Sequence, residues 1–385
     1  MEYYIHDEKE VLEQIRRYVE IETPGRDLEQ IGIINELMTR ELTELGAKVT
    51  EVSFPSGNAL IAEVGEAETV QHEVQHSVLL LGHRDTVFKK GDLQTNPFRI
   101  ETDDSGRRVL RGPGVLDMKT GDVMIVEILR HFAKNPIPGW KLTALFTSDE
   151  EFGSPDSRNL ITKMGKAADF CFVMEPCIEG MCTIIRKGIA SYHLTAEGIS
   201  AHSGVNYTKG ASAIQALCWA VNSIYALRDD EKKISINVGS FLAEGKNNVI
   251  CPKAEVRGEV RCFQNDLLEE TIDKIRTICE SDPVPGTRII FEPLGKRPPM
   301  ERTDEARALH ELAKECAAAH GLQLKGRVHG GGSDGAFVQQ AGTPVLDGMG
   351  AEGDGAHTEN ERVLADSIMN RIKTSIDVIT KMAEK

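Results

Sequence analysis

The chain has 385 residues, 40% hydrophobic and 27% charged, with a formal net charge of −15. That length holds one large domain or two ordinary ones, and the balance is that of a globular chain. The acidity disfavours nucleic acid and anionic membrane surfaces, which are bound through clustered Lys and Arg, and apolar runs as short as Val78–Leu81 cannot span a bilayer. The N-terminus lacks the basic stretch, apolar core and small-residue site of a secretion signal, and eight cysteines without a CxxC pair fit reduced thiols. A cytoplasmic location is the expectation.

In chain order, Val11, Ile15 and Val19, then Ile31, Ile34, Met38, Leu42 and Leu45, recur at helical spacing and predict two helices separated by Thr23-Pro24-Gly25. Strands are expected over Val49–Phe54, Ala59–Val64, Ser77–Leu81, Leu142–Phe146 and Phe170–Met174, with a helix over Asp122–Ala133. Alternating strands and helices imply an α/β sheet. From Ile189 the order becomes strand, helix, strand, strand, helix, strand, ending at Arg288–Phe291, which is a ferredoxin-like α+β unit. Helices over Ala306–Ala319 and Leu364–Met382, flanking a strand at Pro344–Leu346, resume the first pattern. The expected organisation is one catalytic domain of residues 1–186 and 293–385, interrupted by an inserted domain of residues 187–292.

The chemistry-bearing residues follow the strands. His83 ends Leu79-Leu80-Leu81-Gly82-His83, Glu150 and Glu151 follow Phe146, and Glu175 follows Val173-Met174. Open α/β sheets build their sites at the carboxyl ends of strands, so these runs can meet in one crevice. Asp117 precedes a predicted helix and His357 lies in a glycine-rich stretch; taken alone, Asp117 serves equally well as a helix cap. Two imidazoles and three carboxylates suit a pair of divalent ions, zinc or a neighbouring first-row metal, and an odd number of carboxylates suggests that one bridges. Of the adjacent Glu150 and Glu151, one can bind metal while the other moves protons. Asp85, two residues from His83, is placed to hold the imidazole's second nitrogen.

Gly82-His83-Arg84-Asp85-Thr86-Val87, Gly112-Pro113-Gly114 with Asp117-Met118-Lys119, Ser148-Asp149-Glu150-Glu151 with Gly153-Ser154, and Met174-Glu175-Pro176 together resemble the co-catalytic zinc exopeptidases. That family includes glutamate carboxypeptidase, tripeptidase, acetylornithine deacetylase and succinyl-diaminopimelate desuccinylase. The resemblance extends over nearly the whole chain, through Ser200-Ala201-His202-Ser203-Gly204 and Gly330-Gly331-Gly332-Ser333-Asp334. It implies that His83 and Glu175 hold one zinc, that Glu151 and His357 hold the other, and that Asp117 bridges them. Cobalt or manganese are possible substitutes. Glu150 is then the general base and Asp85 orients His83.

The resemblance further implies a ferredoxin-like lid through which two copies dimerise, with His202 reaching the partner's active site to stabilise an oxyanion. Arg297 resembles the arginine that clamps a substrate carboxylate and Asn248 a substrate-facing asparagine, while Gly331 either lets backbone approach a ligand or serves a flexible turn. Two departures stand out: Thr120 replaces the first of two glycines common after Asp-Met-Lys, and the approach to His357 is longer than usual.

The favoured expectation is a di-zinc metallohydrolase that cleaves an amide bond beside a free carboxylate, of the glutamate carboxypeptidase type, acting on a small peptide or N-acyl amino acid. An N-acyl amino acid deacylase needs the same site. A metal- or ligand-binding homologue without activity is the rival from another class, and Glu150 argues against it. A dinucleotide-binding oxidoreductase fails because Gly112-Pro113-Gly114 is not GxGxxG.

Overall fold

A computed structural model describes residues 2–65, 75–281 and 284–384. In chain order the elements are α1 (Glu8–Val19), α2 (Leu28–Glu44), β1 (Lys48–Val52), β2 (Ala59–Gly65), β3 (His76–His83), α3 (Asp92–Thr95), β4 (Arg99–Thr102), β5 (Arg108–Arg111), α4 (Thr120–Lys134), β6 (Trp140–Thr147), α5 (Arg158–Lys166), β7 (Phe170–Val173), β8 (Cys177–Ile178) and β9 (Met181–Arg186). There follow β10 (Gly188–Glu197), α6 (Ala213–Tyr225), β11 (Ser235–Leu242), β12 (Lys253–Cys262), α7 (Asn265–Glu280) and β13 (Arg288–Arg297). The chain ends with α8 (Asp304–Ala319), β14 (Lys325–His329), α9 (Gly335–Gln340), β15 (Val345–Asp347), β16 (Glu352–Asp354), β17 (Arg362–Leu364) and α10 (Ala365–Ala383).

Two compact units result, one of Met1–Ile184, Arg302–Val328 and Ser333–Lys385, the other of Ile185–Glu301 and His329–Gly332. The first is built on a mixed sheet in the order β1-β2-β6-β3-β7-β15-β9-β8-β16-β17-β5-β4, with β14 beside β9. Its central strands read as continuous apolar runs because both faces are covered; Leu79, Leu80 and Leu81 are all buried. Local chemistry sets the helix starts: Asp7 and Glu10 form a reciprocal capping box on α1, and Thr303 caps α8. The stripe Val11, Ile15 and Val19 is buried in the same core as Val123, Ile125 and Leu129 of α4.

The second unit is a four-stranded antiparallel sheet in the order β11-β12-β10-β13, with α6 and α7 packed on it around Leu194, Leu217, Val256 and Ile275. Its chain order β10-α6-β11-β12-α7-β13 is the ferredoxin-like arrangement expected. One strand differs from expectation: β13 does not stop at Phe291 but runs through Pro293 to Arg297. The register shifts opposite Ser191 and Tyr192, which pair with Gly295 and Pro293, so a bulge absorbs the interruption on an edge strand that tolerates a missing N–H.

Candidate metal centre

Three parallel neighbours, with β3 between β6 and β7, carry the centre of the site. His83 is the last residue of β3 and lies opposite Thr147; Leu81 lies opposite Val173, so Glu175, two residues past β7, arrives at the same edge. Glu150 and Glu151 start a single helical turn, Glu150–Phe152, just beyond β6. Asp117 sits in the irregular turn Val115–Lys119, where the Asp117–Met118 peptide is cis. It is not the cap of α4, which begins at Thr120 without a side-chain cap. His357 lies between β16 and β17 with a positive φ of 66°.

These side chains converge. His83 Nε2 is 3.2 Å from Asp117 Oδ1 and 3.6 Å from Glu175. His357 Nε2 is 3.2 Å from Asp117 Oδ2 and 3.5 Å from Glu151. The two oxygens of Asp117 thus face two different imidazoles, the disposition required of a carboxylate shared by two cations. One ligand atom each from His83, Asp117 and Glu151 lies within a 4.8 Å group, and so does one each from His83, Glu150 and Glu175. The second group brings Glu150 itself to ligand range.

The donor set fits divalent cations on its own chemistry. The Oε1 atom of Glu151 is buried without a hydrogen-bond partner among the described residues. Burial, with Asp117 nearby, pushes Glu175 up to about 8, and burial also raises Glu151. Burial works against charge on His83, yet Asp117, Asp85 and Glu175 together raise it well above its ordinary value. His357 is pushed up to about 10, chiefly by its hydrogen bond to Asp117. For Asp117, burial is more than offset by His357 and His83, which hold it below the usual carboxylate range. So many acids coexist in a buried place only by taking up positive charge, whether protons or metal.

Asp85 does more than orient an imidazole. The nearest acceptor to His83 Nδ1 is the backbone carbonyl of Asp85 at 3.0 Å, with its carboxylate at 3.5 Å. That carboxylate also accepts the N–H groups of Glu150 (3.3 Å) and Glu151 (3.0 Å), tying the acidic turn to the His83 loop. Beside it Arg84 is wholly buried and donates to the carbonyls of Thr147, Phe146 and Asn58, to Ser148 Oγ and to the Asn35 side chain. Burial lowers its pKa to about 10, which leaves the guanidinium charged at neutral pH. Asp149 is a further support, accepting the N–H groups of Asp156 and Ser157 and the Ser157 hydroxyl.

The departure at Thr120 leaves the packing intact. A Cβ on Gly121 would come within 2.1 Å of the Met174 carbonyl, so the position that carries α4 against β7 is still a glycine, and the Thr120 hydroxyl donates to Val115 at 2.6 Å. The cysteines are buried or exposed free thiols, and burial raises Cys177 beside the site. They show no activated thiolate there.

His202, Asn248, Arg297 and Gly331 belong to the second unit. His202 and Asn248 lie side by side: His202 bridges Val249, and the Ser203 N–H donates to the Asn248 carbonyl at 3.0 Å. The His202 ring is exposed, and its Nδ1 accepts the N–H groups of Gly204 and Val205 at 3.2 Å, which in the neutral ring leaves the proton on Nε2. Arg297 is buried, and a Cβ on Gly332 would lie 2.8 Å from its Cδ; Arg186 donates to the carbonyls of Gly331 and Gly332. The missing side chain of Gly332 admits the Arg297 stem, and that of Gly331 the His329 ring.

Among the buried ionisable groups that were not anticipated are Arg84, Asp122 and Glu361. Arg84 stood within Gly82-His83-Arg84-Asp85, but an arginine in a loop carries no signal of burial. Asp122 is buried with neither oxygen partnered among the described residues, and burial pushes it up to about 8. Glu361 is four residues past His357, and only the fold reveals what it holds.

The family model for Peptidase family M20/M25/M40 matches residues 79–381. Carboxypeptidase G2 of Pseudomonas sp. (strain RS-16) is 27% identical, covering 91% of this chain and 83% of that protein. Succinyl-diaminopimelate desuccinylase of Delftia acidovorans is 26% identical over 76% of this chain and 78% of that enzyme. Among solved structures, aminopeptidase PepT from Bacillus cereus superposes with a TM-score of 0.77 at 20% identity, covering 99% of this chain and 100% of that one. A dinuclear metal binding peptidase of Bacillus subtilis superposes with a TM-score of 0.71 at 14% identity and 98% coverage of both chains. The match over most of the chain and the convergence on Asp117 lead to one conclusion: the chain belongs to Peptidase family M20/M25/M40, and it is a metal-binding metallopeptidase or amidohydrolase.

Proposed function

We propose that this protein is a di-zinc carboxypeptidase of the glutamate carboxypeptidase type, removing a C-terminal residue from small peptides or N-acylated amino acids. The observation that carries the two-ion reading is Asp117 presenting one oxygen to His83 and the other to His357. The likeness to carboxypeptidase G2 over 91% of the chain supports the choice of reaction.

In this reading His83 and Glu175 hold one cation, Glu151 and His357 the other, and Asp117 both, with zinc favoured over cobalt or manganese by the mix of imidazole and carboxylate. When bound, such a cation pair would supply Lewis acidity for a scissile carbonyl. Glu150 takes the proton of the attacking water and gives it to the leaving nitrogen, and the N–H bonds to Asp85 keep its backbone in place for both transfers. His202, with its proton on Nε2, would reach the active site of the partner subunit and donate to the developing oxyanion, Arg297 would pair with the substrate's free carboxylate, and Asn248 and Gly331 would meet the substrate.

We extend the reading to a homodimer through the second unit and to the cytoplasm. Trp219 and Tyr225 of α6 and Phe241 and Leu242 of the edge strand β11 are exposed, which supports the first; eight free thiols support the second. A monomer in analytical ultracentrifugation would remove the dimer from the proposal.

The decisive experiment is a panel with added zinc, cobalt or manganese, comparing release of C-terminal glutamate and other residues from acylated substrates with release of acetate or succinate from N-acyl diamines. Preferential cleavage of the latter would move the assignment to a deacylase, which the likeness to succinyl-diaminopimelate desuccinylase supports. Inertness on the whole panel would overturn both.

The protonation of the ion-free site sets a pH dependence. In the ion-free fold the pKa values of His83, His357, Glu175 and Glu151 are all raised, so an entering cation competes with protons for these donors and displaces them. Metal affinity is therefore expected to rise from pH 6 to pH 8. Calorimetry in two buffers of different ionisation enthalpy reads the proton release; affinity that is flat with pH, with no release, would contradict the protonation pattern.

A further inference from the structure

We propose that Glu361 is a positioning residue for the metal centre: its carboxylate holds the Gly114–Asp117 turn and so aims the Asp117 side chain between the two histidines. Glu361 is wholly buried. Its Oε1 accepts the N–H of Leu116 at 2.6 Å and of Asp117 itself at 3.0 Å, and its Oε2 faces the N–H of Gly114 at 3.4 Å. The residue that carries two facing metal donors thus has its own backbone amide bound by this carboxylate.

The placement of Glu361 is equally specific. It immediately precedes β17, which is paired on one side with β5 and on the other with β16, so its backbone is anchored by strands on both flanks. It is also four residues past His357, within a turn closed by the Thr358 N–H to Gly355 (3.1 Å) and the Glu361 N–H to Thr358 (3.2 Å). One short turn therefore carries His357 and, through Glu361, the support of Asp117. The carboxylate that accepts the Asp117 N–H thus sits four residues from His357, whose Nε2 lies 3.2 Å from Asp117 Oδ2.

A carboxylate is the side chain that this turn calls for. An apolar residue of similar size would leave the turn's amides buried without acceptors. Glutamine offers one carbonyl oxygen and turns an NH2 toward amides that can only donate. Aspartate keeps the charge but is one methylene too short.

Glu361→Gln and Glu361→Asp, loaded with cobalt(II), test the inference. Both are expected to fold without metal and to lose about 10–100-fold in affinity for the cation pair, the usual cost of losing an outer partner of a ligand. Their visible cobalt absorption should shift, and kcat should fall by a similar factor while KM stays within about twofold. Wild-type affinity and spectrum in Glu361→Gln would overturn it, and so would a wild-type Glu361→Asp, which would make charge rather than reach the cause. Failure of both ion-free variants to fold would also overturn it, as the mark of a purely structural residue. The inference rests on the two-ion reading, whose own failure is seen separately, in wild-type protein that does not take up two ions.

Discussion

Changing Glu150 to alanine is expected to lower turnover by about two to four powers of ten while two metal ions remain bound. The carboxylate is nearly buried, its backbone N–H is held by Asp85, and its oxygen lies in a group with donors from His83 and Glu175. That nearness admits two roles, proton carrier or direct ligand, and they separate on one measurement. Kinetics run alongside metal analysis of the same preparation should show lost turnover at full occupancy. Loss of an ion would make Glu150 a ligand, and unchanged turnover would remove it from the chemistry.

Asp117→Ala is expected to have the opposite signature, with turnover falling because the ions leave. Each histidine of the pair faces one of its oxygens, so a single substitution withdraws a donor from both cations at once. Affinity should drop by more than the roughly 10–100-fold typical of an outer partner. It also leaves His83 and His357 without the carboxylate that raises both of them. Equilibrium dialysis against zinc reads the effect; two ions retained at wild-type affinity would show that Asp117 does not bridge.

Much of the site was legible in the sequence because the sheet converts strand order into position. His83, Glu175 and the Glu150–Glu151 pair each follow an apolar run, and apolar runs of five to eight residues announce buried parallel strands. Once β3, β6 and β7 are neighbours, their ends have to meet. β4, β5, β8, β16 and β17, of two to four residues without a clear apolar run, gave no such signal and are held in place by pairing with their neighbours. The helices α5 and α9 were not expected either. Asp85 was singled out for the imidazole, yet its hold on the Glu150 and Glu151 amides depends on backbone directions that spacing does not encode. Glu361 reads as one acid among many in an acidic chain, and the turn it anchors lies more than two hundred residues upstream.

The burial of Arg84 has a consequence for how the molecule can be altered. Its guanidinium fork, just past β3, is saturated by acceptors at the end of β6, on the loop before β2 and on α2, and lysine, with one nitrogen in place of three, cannot satisfy them. The platforms bearing His83 and Glu150 are consequently riveted together. Any effort to broaden this enzyme's tolerance by loosening one of them will loosen the other, so room for new substrates has to be sought elsewhere on the chain.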